Sequence, residues 1–319
     1  MATQRPTPFD PTLLRATADL RRLGEDPGAR DADGAATWAR VRHGVVVGAP
    51  EWKRSTPEQR HAALVHATAM HVRGDTIPTF SHAAAAAVWR LPRVSAWPAR
   101  VDVLTTKARR SSDTMRRHLG QPGMVETVDG LPVTSLTRTL IDIARTEDLK
   151  DAVAAMDHAL HHALCTREQL RAELDLVPAG ARGRAQAELA VSLADPGAMS
   201  VGESLSRVQM FRFNLPRPQL QVRIEDADGL AGVCDFGWVG LGTLGEFDGR
   251  KKYGLDGLEG DRVAEVMWRE KKREDRIRAR GHRMARWVWA DAADGSRMVR
   301  ILAAQGVRPT RRNTWLDAA

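Results

Sequence analysis

The feature that most constrains this chain is a run of rhythm changes from residue 200 onward. Residues 200–213 read as a helix, with apolar side chains at helical spacing. Residues 219–225, 232–239 and 243–248 then alternate apolar and polar, with glycine-bearing turns between them, as short half-buried strands do. Residues 261–280 form a charged helix that stops at Gly281. Residues 283–290 alternate again, Met284, Arg286 and Val288 against Ala285, Trp287 and Trp289, and a helix follows at 295–304. The order α-β-β-β-α-β-α demands one sheet with helices packed on it, an α/β domain over 196–306. Residues 307–319 read as a loose basic tail.

Carboxylates gather on two of those strands. Glu246 and Asp248 are two apart, so they share a face. Asp235 lies on the preceding strand near the hairpin turn, and antiparallel pairing would bring the three acids together. Such a cluster repels itself unless protons or a cation balance it, and oxygen donors suit Mg²⁺ or Mn²⁺. Asp235, Glu246 and Asp248 are the candidate oxygen donors on the strands, and Glu203 on the first helix stands out beside them. Lys251 or Lys252 would position an attacking water in phosphodiester hydrolysis. Arg250, Lys271, Lys272 and Arg273 are candidate phosphate contacts. Glu203 also has the capping-box spacing Ser200-x-x-Glu203, so it is equally a helix cap. The helix charges at 261–280 are interleaved and would also serve as a self-paired solvated face.

Upstream, residues 9–23 carry a short helical pattern, and an acidic glycine-bearing loop runs to Gly34. Residues 41–47 read as two short strands around a turn. Helices are expected at 57–72 and 82–89, strands at 99–105 and 124–128. Further helices are expected at 132–144 (capped by Thr134 or Ser135), 148–164, 166–174 and 181–193. His158, His161 and His162 fall with Asp157 on what reads as the polar side of a helix, without a ligand set for zinc. Cys165 and Cys234 lie outside any metal or disulfide spacing. There is no glycine-rich phosphate loop.

Charge narrows the partners. Lys+Arg total 48 against 40 Asp+Glu, a formal net charge of +8, which suits an anionic partner such as nucleic acid, DNA first. No apolar run approaches ~18 residues, so no membrane span is expected. The first residues lack the apolar core of a secretory signal, so a cytoplasmic location is expected.

Two resemblances sharpen this. Val233-Cys-Asp235-Phe-Gly-Trp and Gly245-Glu-Phe-Asp-Gly249 resemble the PD-(D/E)XK nuclease superfamily, more narrowly its very-short-patch-repair-like endonucleases. The helices with Ser200-Val-Gly-Glu203 and Glu270-Lys-Lys-Arg-Glu-Asp275 match the same pattern. The resemblance covers roughly 198–305 and implies a restriction-endonuclease-like fold with Asp235 and Glu246 on a metal, Glu203 as a third ligand and Asp248 assisting. The superfamily strand ends acid-x-Lys; here Asp248 stands in the lysine place, so Lys252, Lys251 or a helix lysine such as Lys271 would have to substitute.

The second resemblance runs over about 40–195. Arg42-His-Gly-Val-Val-Val47, Ser81-His-Ala-Ala-Ala-Ala-Ala-Val-Trp-Arg-Leu-Pro92 and Leu131-Pro-Val-Thr-Ser-Leu-Thr-Arg-Thr-Leu-Ile-Asp-Ile-Ala144 are similar to AbiEi-type antitoxins. That family implies a DNA-binding winged helix before a domain that opposes a nucleotidyltransferase toxin. No basic recognition helix is visible before residue 40, so the winged-helix-like start is a degenerate one. The expected domains are 1–75 (degenerate winged-helix-like), 76–195 (AbiEi-like, mixed helix and strand), 196–306 (nuclease-like) and the tail. The leading functional reading is a metal-dependent DNA endonuclease or nicking enzyme. The alternative is a non-catalytic antitoxin or DNA-binding regulator that keeps a nuclease fold, with a cognate toxin as partner.

Overall fold

A computed structural model describes residues 8–71, 77–121, 123–249 and 260–316, with backbone alone at 260–264, 266, 267 and 270. Two compact units are present: Met1–Ala155 with Ala163–Val191, and Met156–His162 with Ser192–Ala319.

The first unit starts with β1 (Arg15–Ala16), α1 (Thr17–Arg22), β2 (Trp38–Arg42) and β3 (Val45–Gly48). The strands form a sheet in the order β1-β3-β2. The expected hairpin at 41–47 is present, and Gly44 turns it at φ +76°, where a Cβ would be strained. The helical pattern at 9–23 resolves into a 3-10 turn, β1 and only six residues of α1. Residues 23–37 hold no helix. Asp31 accepts backbone N–H bonds from Asp33 and Ala35 at 3.1 and 2.8 Å, which closes a compact turn there.

Next come α2 (Ala49–Arg54) and α3 (Pro57–Ala69). Thr56 and Gln59 form a full capping box, with Pro57 at the first helical position. After α4 (His82–Val88) follow β4 (Val101–Thr105), β5 (Met115–Leu119), β6 (Val125–Val128) and β7 (Leu131–Thr134). The alanines of α4 are all buried; their small side chains let this helix lie between α3 and α5 (Leu136–Thr146). The cap of α5 is Ser135, as the sequence allows, but residues 131–134 pair with β6 instead of extending the helix. Phe80 is fully buried and bridges Val103 on one side and Val133 on the other.

Ala62, Ala63 and Ala67 of α3 pack with Val45 and Val47, while Val65 of the same helix packs with Phe80, Val101 and Val133. One helix thus serves both clusters. The unit also takes in α7 (Arg167–Asp175) and most of α8 (Arg184–Leu193), and its boundary runs through α6 (Leu149–His161).

The second unit follows the expected order: α9 (Val201–Arg212), β8 (Gln219–Asp226), β9 (Gly229–Trp238), β10 (Thr243–Asp248), α10 (Gly260–Ala279) and β11 (Arg283–Val288). Then come α11 (Trp289–Asp294), absent from the sequence reading, and α12 (Ser296–Ala304). The sheet order is β11-β10-β9-β8; β8, β9 and β10 are antiparallel, and β11 runs parallel to β10 after the crossover through α10. Alternation sorts the faces. Cys234, Leu244 and Met284 pack with Ile277 of α10. Phe247 and Trp287 face α9, where the Trp287 indole donates to Ser206 Oγ at 2.8 Å. Gly202 allows this approach, since a Cβ there would sit 2.0 Å from the Phe247 ring.

Two expectations are corrected here. The tail is not loose as far as residue 316: Val307 and Trp315 are buried, and the Trp315 indole donates to the Leu215 carbonyl at 2.7 Å. Asp157 is not on a solvated face. It is fully buried, and Arg207 and Ser204 donate to its carboxylate at 2.8 Å each. An apolar site strongly favours pairing such a charge.

Candidate functional site

The acids of β9 and β10 stand on neighbouring strands, each with its own partners. The β9–β10 ladder ends at Gly245↔Phe236. One residue on, the Asp235 side chain takes over: its Oδ2 accepts the Phe247 backbone N–H at 2.9 Å. Asp235 and Glu246 are both buried, and both act on the intervening Cys234. Burial first, then the negative charges of Glu246 and Asp235, push that thiol up to about 12.

Glu246 has cationic neighbours. Its register partner on β11 is Arg286, whose Nη2 lies 2.9 Å from Oε2. Arg273, from α10, donates to Oε1 at 2.7 Å. Arg286 also reaches Glu274 at 3.3 Å. Arg278 donates to Glu274 at 2.7 Å as well, so three guanidinium groups meet two carboxylates, with the charge-assisted bonds that arginine makes best. Arg273, expected to meet phosphate, here meets protein.

Glu203 takes no part in that cluster among its recorded contacts. It accepts from the Met199 N–H at 3.0 Å, Ser200 Oγ at 2.7 Å and Gln221 Nε2 at 3.1 Å, and its own N–H donates to Ser200 Oγ. This is helix capping. Asp248 is half-buried at the end of β10. Lys271 and Lys272 are exposed, their Nζ atoms 6.0 and 5.3 Å from the Trp268 ring centre. Arg250, Lys251 and Lys252 lie outside the described residues.

A hard divalent cation needs several oxygen donors turned toward one point. Glu246 gives both oxygens to arginines and Glu203 caps a helix, so in this arrangement the donors do not fit Mg²⁺ or Mn²⁺. Among the described residues no group of three or more His, Cys, Asp or Glu is arranged to hold a metal ion. Sequence reasoning missed Arg286 and Glu274. The signal for Arg286 was present: it is the polar member between Met284 and Val288 on an otherwise apolar strand face.

The first unit holds a second polar network. Asp102 on β4 is fully buried; it pairs with Arg116 Nη2 at 3.1 Å and His118 Nε2 at 2.7 Å. Arg116 continues to Glu147 at 3.1 Å, and Glu147 to Arg93 at 2.9 Å. Burial alone would raise the Asp102 carboxyl; hydrogen bonds from His118 and Arg116 and the Arg116 charge hold it down to about 2. His82 opens α4 in a left-handed backbone conformation, φ 48°, and stacks on His118 with ring centres 3.6 Å apart. Burial keeps His82 neutral, its pKa lowered to about 4. It is a packed helix-start residue, as the sequence suggests.

Two uncharacterized proteins of Mycobacterium tuberculosis (strains CDC 1551 / Oshkosh and ATCC 25618 / H37Rv) are each 29% identical over 124 residues, 39% of this chain. The match spans 45% of their own length, under half of each relative. No solved structure matches the chain. No described helix is long and apolar enough to cross a membrane. Residues 57–191, from α3 through most of α8, match the family of the AbiEi antitoxin C-terminal domain.

Proposed function

We infer that the chain is a non-catalytic regulator of the antitoxin type, which binds DNA and a cognate toxin. The match of residues 57–191 to the AbiEi antitoxin C-terminal domain carries this reading. The excess of basic residues supports a nucleic-acid partner. The arrangement around Glu246 points the same way, because a carboxylate held by Arg273 and Arg286 stabilises a fold without needing a cation. The β1–α1–β2–β3 start supports a reduced winged-helix-like module, with a turn at 23–37 in place of a recognition helix.

The test is gel retardation of DNA from upstream of the chain's own gene, with and without EDTA, over a salt series. The regulator reading expects sequence-selective retardation that EDTA leaves intact and that weakens steeply with salt. Co-purification with the product of an adjacent gene tests the toxin arm.

The second reading, a metal-dependent endonuclease, draws on the α-β-β-β-α-β order and on the buried acids Asp235 and Glu246 on adjacent strands. It would require Arg273 and Arg286 to release Glu246. Plasmid nicking with Mg²⁺ or Mn²⁺, lost in both Asp235→Ala and Glu246→Ala, would favour it over the regulator.

A further inference from the structure

A cavity of about 640 Å³ opens in the first unit beside the carboxyl end of β4. That volume is in the usual range of small-molecule sites, ~300–1,000 Å³. Its lining is one-sided in charge. Arg42 enters from the end of β2, Lys107 and Arg109 from the segment after β4, and Arg117 from β5. Thr105 and Thr106 add hydroxyls, and no carboxylate is among the described residues that line it. Arg117 is oriented by its own chain: its Nη1 donates to the Arg110 carbonyl at 2.9 Å, and its backbone N–H to Ser111 Oγ at 3.0 Å.

Arg42 is the telling residue. Its Nε and Nη1 are buried and have no hydrogen-bond partner in the protein. Burial pulls its pKa down, so the charged form is held against a cost. Four cations around one cavity also repel each other. A fold keeps such an arrangement at a loss of stability unless an anion offsets it. The ligand must carry several negative charges close together to face four cations. A short phosphate chain does so, and each phosphate offers oxygen acceptors that suit guanidinium and ammonium donors. Among the described lining residues the one ring is the His71 imidazole, against four cationic side chains, so recognition falls mainly on the phosphates. A concave space of this size suits a compact polyanion better than the outer surface of a duplex.

We propose that this cavity binds a chain of two or three phosphates, as carried by a nucleoside di- or triphosphate or by inorganic polyphosphate. The inference stands on the cavity alone and does not depend on the antitoxin reading.

The experiment is titration calorimetry on the full chain with tripolyphosphate, ATP, GTP and adenosine, paired with thermal melts and repeated for Arg42→Gln and Arg117→Gln. Tripolyphosphate and the triphosphates should bind and raise the melting temperature; adenosine should not. Nucleotide binding tighter than tripolyphosphate would identify the nucleotide as the source, and equal binding the phosphate chain itself. Each substitution should weaken binding at least tenfold. Arg42→Gln without ligand should melt no lower than wild type, because it removes a buried charge that has no partner. A structural arginine would behave in the opposite way. The proposal is overturned if wild type does not bind tripolyphosphate, or if both variants bind it as wild type does. It is also overturned if a duplex oligonucleotide needs these arginines while tripolyphosphate does not bind.

Discussion

Acid should destabilise the first unit well before its carboxylates titrate. His61 and His82 are both buried, and burial lowers each from 6.5 to about 4. Nearby charges partly oppose one another: Asp102 favours the charged form of His61, and Arg93 disfavours it. His66 is lowered as well, again by burial. An unfolded histidine takes up its proton near pH 6.5, while these folded ones resist until about pH 4. The unfolded state therefore binds more protons over that interval, and stability rises with pH across it. The contribution is whole above pH 6.5 and declines as the pH falls toward 4. At pH 5 the loss is about 2 kcal/mol for each of His61 and His82, about 4 kcal/mol together. Domains are stable by only ~5–15 kcal/mol, so this is a large share. The melting temperature should drop by about 10 °C between pH 7.5 and pH 5 at constant ionic strength. Scanning calorimetry measures it. The pair His61→Leu and His82→Asn removes the titrating groups, Asn being chosen to tolerate the left-handed backbone at 82. The double variant should lose most of the pH dependence. A wild-type melting temperature that is flat over this range, or a double variant as acid-sensitive as wild type, would refute the reasoning.

Other outcomes follow from single contacts. Gly202→Ala should destabilise the second unit by about 1–2 kcal/mol in a thermal melt, because overpacking against Phe247 (~1–3 kcal/mol) outweighs the gain in helix propensity (~1 kcal/mol). Arg286→Gln should cost about 1–3 kcal/mol in denaturant titration, since Glu246 stays buried with Arg273 as its remaining guanidinium partner. Glu246→Gln should cost less, because the arginines it leaves are about a quarter exposed. Cys165 and Cys234 are buried, with thiols pushed up to about 11 and about 12, so neither should react with iodoacetamide at pH 8 until denaturant is added.

Local patterns carried most elements and few of the contacts that matter. The hairpin at β2–β3, the buried alanine helix and the strand order of the second unit could all be read from periodicity and turn residues. β7 was read as helix because Leu-Pro-Val-Thr precedes a strong Ser135 cap, and only pairing with β6 makes it a strand. β5 was missed because Met-Arg-Arg-His-Leu lacks an apolar face; its arginine and histidine turn to Asp102 on β4. Asp157 looked like a polar-face residue because its partner, Arg207, stands fifty positions away. Glu246 meets Arg286 only through a parallel register that α10 sets. Such pairs depend on tertiary geometry, and no local spacing reveals them.

The balance of charge separates the two candidate sites more clearly than their motifs do. On β10 the acids that suggest a metal centre already have counter-charges: Arg273 and Arg286 for Glu246, a backbone N–H for Asp235. The buried network around Asp102 is likewise internally paired, acid alternating with base through Arg116, Glu147 and Arg93. Groups satisfied within the fold stabilise it and ask nothing of a ligand. Arg42 stands in a different setting. Among the described residues that line its cavity there are three other cations and no acid, and two of its buried nitrogens have no acceptor. Cations gathered without a counter-charge repel each other, and an anion from outside would offset that cost. The cavity that no motif announces is thus the place in the first unit where a ligand would relieve an imbalance that the fold leaves open.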